Sequence, residues 1–292
     1  MLGECHAHIA LNGIDYAKAA ALHKDSVNEA AICDVFEQYR SCGISFIRDG
    51  GDAWGVSARA KQIAPEFGID YRTPLFAIHK SGHYGAIVGR EFDTLKEYAA
   101  LVEKAATQDA DFIKVMTTGI MSFQEYGKII AGKPLDMREL CEMVHIAHES
   151  GFAVMSHTNG RDAVLHALEA GVDSIEHGNF IDGACIQAFV DTKTAFLPTA
   201  TVARNLSLHP PHQADPSVLT RIEESSQTAI ARAYNAGVIL AIGSDAGAVG
   251  VLHGQGTKDE FTCFCESVGN HKALTKRLQD GEDFIKETFC RH

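Results

Sequence analysis

The sequence lacks any apolar run that approaches the ~20 residues needed to cross a bilayer. It also has few basic residues, since 26 lysines and arginines stand against 38 acidic residues and the formal net charge is −12. Because phosphate binding needs a basic surface, this composition disfavours nucleic acids and anionic membranes as partners. We expect a globular protein with a small-molecule substrate, and whether it forms a homo-oligomer is left open.

The sequence also lacks cysteines in the Cys-x-x-Cys spacing. Eight cysteines are spread over 292 residues, and the closest two, Cys263 and Cys265, are separated by a single residue. This usage favours small buried side chains in a reducing compartment over a disulfide scaffold. The first apolar run starts at the N-terminus and leaves no room for a signal peptide, so the sequence predicts a cytoplasmic protein.

Short apolar runs alternate with helical patterns along the chain. The predicted strands lie near Leu2–His8, Ile44–Arg48, Tyr71–Ile78, Phe112–Met116, Ala153–His157, Ser174–His177, Thr194–Pro198 and Ile239–Ser244. The predicted helices are Val27–Cys42, Trp54–Phe67, Leu95–Thr107, Met137–Ser150, Gly160–Ala170, Ile181–Val190 and Pro216–Ala236. An eightfold alternation of strand and helix is typical of an α/β protein with a (β/α)8 TIM-barrel fold, here a single domain over residues 1–292.

The alternative fold is an open, doubly wound parallel sheet. Such a sheet usually carries a Gly-x-Gly-x-x-Gly turn after its first strand, and this chain has Ile9-Ala10-Leu11-Asn12-Gly13 there. The absence of the glycine-rich turn favours the barrel.

A His-x-His pair ends the first apolar run. Side chains alternate along a strand, so His6 and His8 point to the same side and can bind one metal ion. Alone the pair is weak evidence, because two solvated imidazoles would give the same pattern. Its weight comes from further candidate ligands at the ends of later strands.

Three of these later candidates are His157, His177 and Asp245. A single histidine at a strand end is more often a hydrogen-bonded core residue, and a strand-end aspartate also suits a turn or a helix N-cap. Taken together with the first pair, they predict a metal site, and imidazoles with a carboxylate suit Zn²⁺, with Mn²⁺, Fe²⁺ or Co²⁺ as alternatives. Only a closed barrel brings the ends of these strands around one centre.

Lys114 lies within the predicted strand Phe112–Met116. Alternation directs its side chain into the barrel, where an unpaired ammonium would be costly. A lysine carbamate formed with CO₂ would be an anion able to bridge two metals. The alternative is a salt bridge to Asp111, Glu176 or Asp245.

Five short segments carry a resemblance to a known family. They are Glu4-Cys5-His6-Ala7-His8, Ile113-Lys114-Val115-Met116, Ser156-His157-Thr158, Ile175-Glu176-His177-Gly178 and Gly243-Ser244-Asp245-Ala246-Gly247. In this order they resemble the metal-dependent amidohydrolase superfamily, and the segments around Lys114, His177 and Asp245 are similar to its imidazolonepropionase-like and prolidase-like branch.

The resemblance implies a binuclear centre with two divalent metal ions. It implies that His6, His8 and Asp245 hold one ion, that His157 and His177 hold the second, and that N-carboxylated Lys114 bridges them. A hydroxide activated by both ions would then attack the substrate, and Asp245 would be the catalytic proton acceptor.

The chain departs from the family pattern in two respects. Members of this branch usually carry a β-sandwich built from both termini, but only five residues precede His6 and 47 follow Asp245. The latter read as helices near Lys258–Val268 and His271–Phe289, so we expect a barrel without the flanking sandwich. Deaminases of the superfamily carry a glutamate where this chain has Gly160, which disfavours deamination.

The expected activity is hydrolysis of an amide-like C–N bond, as in an N-acyl amino acid, a dipeptide or a cyclic amide, and not that of an endopeptidase. The alternatives are a mononuclear amidohydrolase, a lactonase or phosphotriesterase-like esterase, and a catalytically silent metal-binding barrel. The candidate substrate-binding residues lie in loops, where side chains are ordinarily solvated. They are His83, Tyr84, Asn159, Arg204 and His253, of which His83, Tyr84 and Arg204 are expected to bind a polar or carboxylate group.

Overall fold

Strands and helices alternate in the computed structural model, which describes residues 2–211, 213–269 and 271–291. The strands are β1 Glu4–Ala7, β2 Phe46–Asp49, β3 Asp70–Arg72, β4 Ala77–Lys80, β5 Gly89–Phe92, β6 Ile113–Met116, β7 Ile120–Met121, β8 Ile129–Ile130, β9 Val154–Thr158, β10 Ser174–His177 and β11 Ala195–Leu197. The α-helices are α1 Tyr16–His23, α2 Glu29–Ser41, α3 Val56–Ile63, α4 Leu95–Thr107, α5 Met137–Glu149, α6 Arg161–Ala170, α7 Gly183–Thr192, α8 Thr201–Leu208, α9 Pro216–Ala236, α10 Gln255–Val268 and α11 His271–Thr288. A 3₁₀ helix, Ala64–Phe67, follows α3.

Side-chain caps set the ends of several helices. Thr94 and Glu97 form a reciprocal capping box at the start of α4, and Asp215 accepts a hydrogen bond from the Ser217 amide at the start of α9. Gly237 ends α9 with a φ of +86°, which a glycine adopts without steric strain. Because these signals are local, the predicted bounds of α4 and α9 match the observed ones.

Two parallel sheets form the centre of the fold. One has the order β1-β2-β3 and the other β11-β10-β9-β6-β4-β5, and every neighbouring pair in them is parallel. Within the described residues, the remaining paired strands are β7 and β8, a short antiparallel hairpin. Parallel sheets flanked by helices confirm the predicted α/β class.

The predicted strand Tyr71–Ile78 is divided in two. Leu75 has a φ of +67°, which a residue in an extended strand cannot adopt, and it separates β3 from β4. The first half pairs with β2 and the second with β6. Together, β3 and β4 therefore span the distance between the two sheets.

The predicted strand Ile239–Ser244 forms only an isolated bridge at Leu240 rather than a regular strand. It still lies between β11 and β1, since the Phe196 amide donates to the Ile239 carbonyl at 2.9 Å and the Cys5 amide to the Ile242 carbonyl at 2.7 Å. Hydrogen bonds therefore link the two sheets on this side as well.

Helix α11 and the residue after it pack against one end of the sheets. The Phe289 ring is buried, lies 4.3 Å from the Arg48 guanidinium carbon and meets the Phe112 ring edge to face, with centroids 5.4 Å apart. The predicted helices near residues 258–268 and 271–289 are thus observed as α10 and α11. None of the helices in the described ranges is long and apolar enough to cross a membrane.

We expect Phe289→Ala to lower the free energy of unfolding by ~3–5 kcal/mol, because it removes a fully buried ring and its stacking on Arg48. Urea denaturation followed by circular dichroism measures this change. The control is Leu208→Ala, because Leu208 is 61% exposed and its removal should change stability by less than about 0.5 kcal/mol. Equal effects of the two substitutions would contradict the packing argument.

Glu260 on α10 anchors the start of α8. Its buried carboxylate accepts hydrogen bonds from the Ala200 amide and from the amide and hydroxyl of Thr201. Burial raises the pKa of Glu260 to about 7, although these hydrogen bonds oppose the shift. The folded protein therefore keeps the Glu260 proton at a pH where the unfolded chain loses it.

We expect Glu260 to make the protein less stable as the pH rises from about 4.5 to about 7, because the folded state then binds more protons than the unfolded state. Glu260→Gln removes this titration while keeping an acceptor oxygen. The difference in unfolding free energy, variant minus parent, should increase over that pH range in a denaturation series. A difference that does not change with pH would rule out the raised pKa.

Candidate metal centre

His6 in β1 and His8 directly after it lie on one side of the chain, and the loop after residue 244 brings Asp245 to the same point. One donor atom from each of the three lies within 4.8 Å of the others. The Asp245 Oδ1 atom is 3.6 Å from His6 Nε2 and 3.7 Å from His8 Nε2. Two imidazole nitrogens and a carboxylate oxygen at this spacing are a donor set suited to a divalent metal ion.

A buried carboxylate orients His6. Glu176 Oε2 lies 2.6 Å from His6 Nδ1, and Glu176 Oε1 accepts a hydrogen bond from Arg48 at 2.8 Å. Burial raises the pKa of Glu176, and the Arg48 guanidinium opposes this shift. A proton on His6 Nδ1 shared with Glu176 leaves the Nε2 lone pair directed at the centre.

Lys114 of β6 reaches the same centre. Its Nζ atom is 3.3 Å from His6 Nε2 and 3.2 Å from His8 Nε2. Burial lowers the pKa of Lys114, and the Asp245 and Glu176 carboxylates oppose this. Asp111 pairs with Lys61 at 3.1 Å, so a salt bridge from Lys114 to Asp111 is not formed.

His157 and His177 face each other beside this group. Their ring centroids are 4.4 Å apart, and the His177 ring is 5.1 Å from that of His6. The His157 Nε2 atom is 3.1 Å from the Gly119 carbonyl, and His177 Nδ1 is 2.8 Å from the Thr199 hydroxyl. Each ring therefore keeps one nitrogen that these contacts do not use.

Burial keeps the imidazoles of the centre neutral. It lowers the pKa of His157 to about 3 and lowers the pKa values of His6, His8 and His177, and the Lys114 charge acts in the same direction on all four. Neutral imidazole is the form that binds a metal ion.

Two residues of the centre have a strained backbone. His177 has a φ of +68° and Asp245 a φ of +60°, values rare for residues other than glycine. Such conformations cost ~1–3 kcal/mol each and persist where the surrounding structure enforces them, often at functional sites. In this protein the strain directs both side chains towards the common centre.

Gly50 allows the centre to be compact. A Cβ atom at this position would lie 2.3 Å from His8 Cε1 and 2.6 Å from Lys114 Nζ. No side chain larger than hydrogen fits there without moving both residues. Sequence reasoning missed Gly50, although the glycine pair Gly50-Gly51 after β2 was a signal for close backbone approach.

A pocket opens onto this centre. Its lining residues are His8, Leu11, Tyr16, Tyr84, Val88, Lys114, Met116, Ile120, Met121, Phe123, His157, Asn159, His177, Asn179, Thr199, Val202, Asp245 and Ala248. Two of the expected substrate contacts, Tyr84 and Asn159, are among them. The Tyr84 ring lies 5.3 Å from that of His157.

Three other expected substrate contacts lie elsewhere. Arg204 is 3.2 Å from Glu266, and that ion pair turns its charge away from the pocket. His253 is buried in the protein, where its ring contacts the Leu11 carbonyl at 2.8 Å and the Tyr39 hydroxyl at 3.1 Å. His83 packs against Gly132 and does not line the pocket. Arg204 lies in helix α8 rather than in a loop, and the side chains of Arg204 and His253 have partners other than a substrate.

Sequence reasoning also missed the roles of Glu176, Arg48 and Thr199. Glu176 was considered only as a partner of Lys114. The signal for Arg48 and Glu176 was two opposite charges inside predicted strands, since buried charges occur in pairs.

Comparison with known proteins agrees with this geometry. A model of the amidohydrolase family matches residues 60–283, which is most of the chain. No curated protein sequence matches significantly.

Solved structures share the fold at low identity. A Xaa-Pro dipeptidase with methionine bound in its active site is 20% identical, with a TM-score of 0.76 over 98% of this chain and 75% of that one. A prolidase complexed with N-methylphosphonate-L-proline is 20% identical, with a TM-score of 0.78 over 98% and 74%. The ochratoxinase of A. niger is 18% identical, with a TM-score of 0.76 over 95% and 69%.

The family match confirms the resemblance that the five sequence segments suggested, and the similarity in fold to prolidases agrees with its prolidase-like branch. The chain belongs to the amidohydrolase family, whose members are hydrolases acting on carbon–nitrogen bonds.

Proposed function

We propose that this protein is a metal-dependent hydrolase that cleaves an amide-like C–N bond in a small molecule such as an N-acyl amino acid, a dipeptide or a cyclic amide. The observation that carries the proposal is the convergence of two imidazoles, a carboxylate and a lysine at the bottom of one pocket. The similar fold of a prolidase and a Xaa-Pro dipeptidase supports an amide as substrate.

The donor set fits two divalent metal ions. His6, His8 and Asp245 would hold one, His157 and His177 would hold the other, and N-carboxylated Lys114 would supply oxygens to both. Imidazole and carboxylate donors favour Zn²⁺, with Mn²⁺, Fe²⁺ or Co²⁺ as alternatives. Such ions supply Lewis-acid polarisation of the scissile carbonyl and lower the pKa of water.

Asp245 is the proposed proton carrier. Its carboxylate lines the pocket beside His6 and His8, where it can accept a proton from the attacking water and return it to the leaving nitrogen. Glu176 holds the His6 ring, and Thr199 holds the His177 ring, so both donors keep their direction while the substrate turns over.

We also propose that the strands close into a (β/α)8 barrel forming one domain over residues 1–292. Two features support eight neighbouring strands. The segment 239–245 forms hydrogen bonds to β11 and β1, and β3 and β4 together take one position between β2 and β6. Closure would bring the carboxyl ends of β1, β6, β9 and β10 around one centre.

We expect the protein grown with added zinc and bicarbonate to bind two metal ions per chain and to hydrolyse members of a panel of N-acyl amino acids, dipeptides and cyclic amides. Lys114→Ala should lose the second ion and at least ~100-fold in kcat/KM, because the bridging ligand is gone. Plasma mass spectrometry counts the metal.

A matched control is Lys61→Ala, which removes a lysine that pairs with Asp109 and Asp111 outside the pocket. One ion per chain together with an active Lys114→Ala protein would favour the mononuclear alternative. The proposal of amide hydrolysis would be overturned if the protein with two bound metal ions hydrolysed no compound of the panel. It would also be overturned if that protein hydrolysed only lactones or phosphotriesters.

We expect Gly50→Ala to reduce the bound metal to less than about half of the parent's content, because the new methyl group would occupy the space between His8 and Lys114. Metal content is measured after identical loading and dialysis. Gly183→Ala is the control, since a Cβ atom there meets no atom within 4 Å. Equal metal content in both variants would disprove the proposed role of Gly50.

A further inference from the structure

The part of the pocket beyond the metal centre is apolar. We call it the outer wall, and its members come from two strands, several loops and one helix: Leu11, Val88, Met116, Ile120, Met121, Phe123, Val202 and Ala248. These side chains surround whichever part of a substrate projects away from the reacting bond.

The pocket offers no cation to this wall. Among the described residues that line it, the only lysine or arginine is Lys114, whose ammonium contacts His6 and His8 at the centre. The nearby Arg204 pairs instead with Glu266. An anionic group in the outer wall would therefore lose its hydration without gaining an ion pair.

The amide side chains at the edge of the wall are also engaged. Asn179 donates to the Asn159 side-chain oxygen at 2.8 Å, and the Asn159 amide lies 3.4 Å from the Gly119 carbonyl. Thr199 also lines the pocket, but its hydroxyl contacts His177. Apart from the candidate metal ligands, the other polar side chains among the described lining residues are Tyr16 and Tyr84. Neutral donors of this kind can orient a substrate but compensate poorly for a buried carboxylate.

We propose that the preferred substrate is a neutral amide with an aliphatic or aromatic group on the side that enters the outer wall, and without a free carboxylate there. This inference rests on the proposed amide hydrolysis and narrows its substrate class. It narrows the expectation that His83, Tyr84 and Arg204 bind a polar or carboxylate group. Burial of the hydrocarbon group against the wall supplies the binding free energy.

A matched pair of compounds tests the proposal. N-acetylphenethylamine and N-acetylphenylalanine share the acetamide and the benzyl group and differ only in the carboxylate. With the metal-loaded protein, we expect kcat/KM to be at least ~10-fold higher for the neutral compound. The carboxylate of N-acetylphenylalanine would lose its hydration in the outer wall without gaining an ion pair, which weakens binding. A preference for N-acetylphenylalanine would overturn the proposal and leave amide hydrolysis intact.

Variants with a new charge make the test specific. Val202→Arg places a cation in the outer wall and should shift the preference by about tenfold towards N-acetylphenylalanine. Phe123→Arg is a second variant at a half-buried position, in case the first does not fold. Leu208→Arg adds the same charge on the exposed side of α8 and should leave the preference unchanged. If neither wall variant changed the preference in a folded protein, the wall would not be the specificity element.

Isothermal titration calorimetry separates this inference from the proposed function. If neither compound is hydrolysed but the neutral one binds more tightly, the wall is supported and amide hydrolysis is not. Tighter binding of the carboxylate compound would overturn the inference whether or not turnover is seen.

Discussion

The buried ion pair between Arg48 and Glu176 is the interaction on which the candidate metal centre depends. Arg48 also donates to the Cys5 carbonyl of β1 at 2.7 Å and to the Ser174 hydroxyl of β10 at 3.0 Å. It thus connects two strands that each carry a candidate ligand. Because an unpaired charge in this interior would be costly, the pair holds only if both strands and the Phe289 ring lie in place.

Glu176, Thr199 and Gly50 together allow closely spaced side chains and a strained backbone at the centre. Glu176 fixes the His6 ring from behind, while Thr199 does the same for His177, whose backbone has an unfavourable φ. Gly50 removes the side chain that would otherwise separate His8 from Lys114. Hydrogen bonds hold the rings in place and Gly50 has no side chain, so the histidines and Lys114 can lie close together in a buried site.

Much of the fold and the centre could be predicted from local patterns. The His-x-His spacing, the inward position of Lys114 and the strand-end positions of His177 and Asp245 need only strand alternation, and the structure brings these residues together. The division of a predicted strand at Leu75 and the irregular segment after Val238 could not be predicted. Both depend on hydrogen bonds to strands that are distant in sequence. The partners of Arg204 and His253 could not be predicted for a similar reason, since Glu266 and Tyr39 are distant from them in sequence.

The sequence by itself determined the alternation of strands and helices and the chemical types of the candidate ligands, because both follow from spacing over a few residues. Only the tertiary structure decided which loop side chains face the pocket, which carboxylate orients His6 and that the outer wall lacks a cation. Those features are set by contacts between segments far apart in the chain, and hydrogen-bond partners and burial there depend on packing that no local pattern encodes.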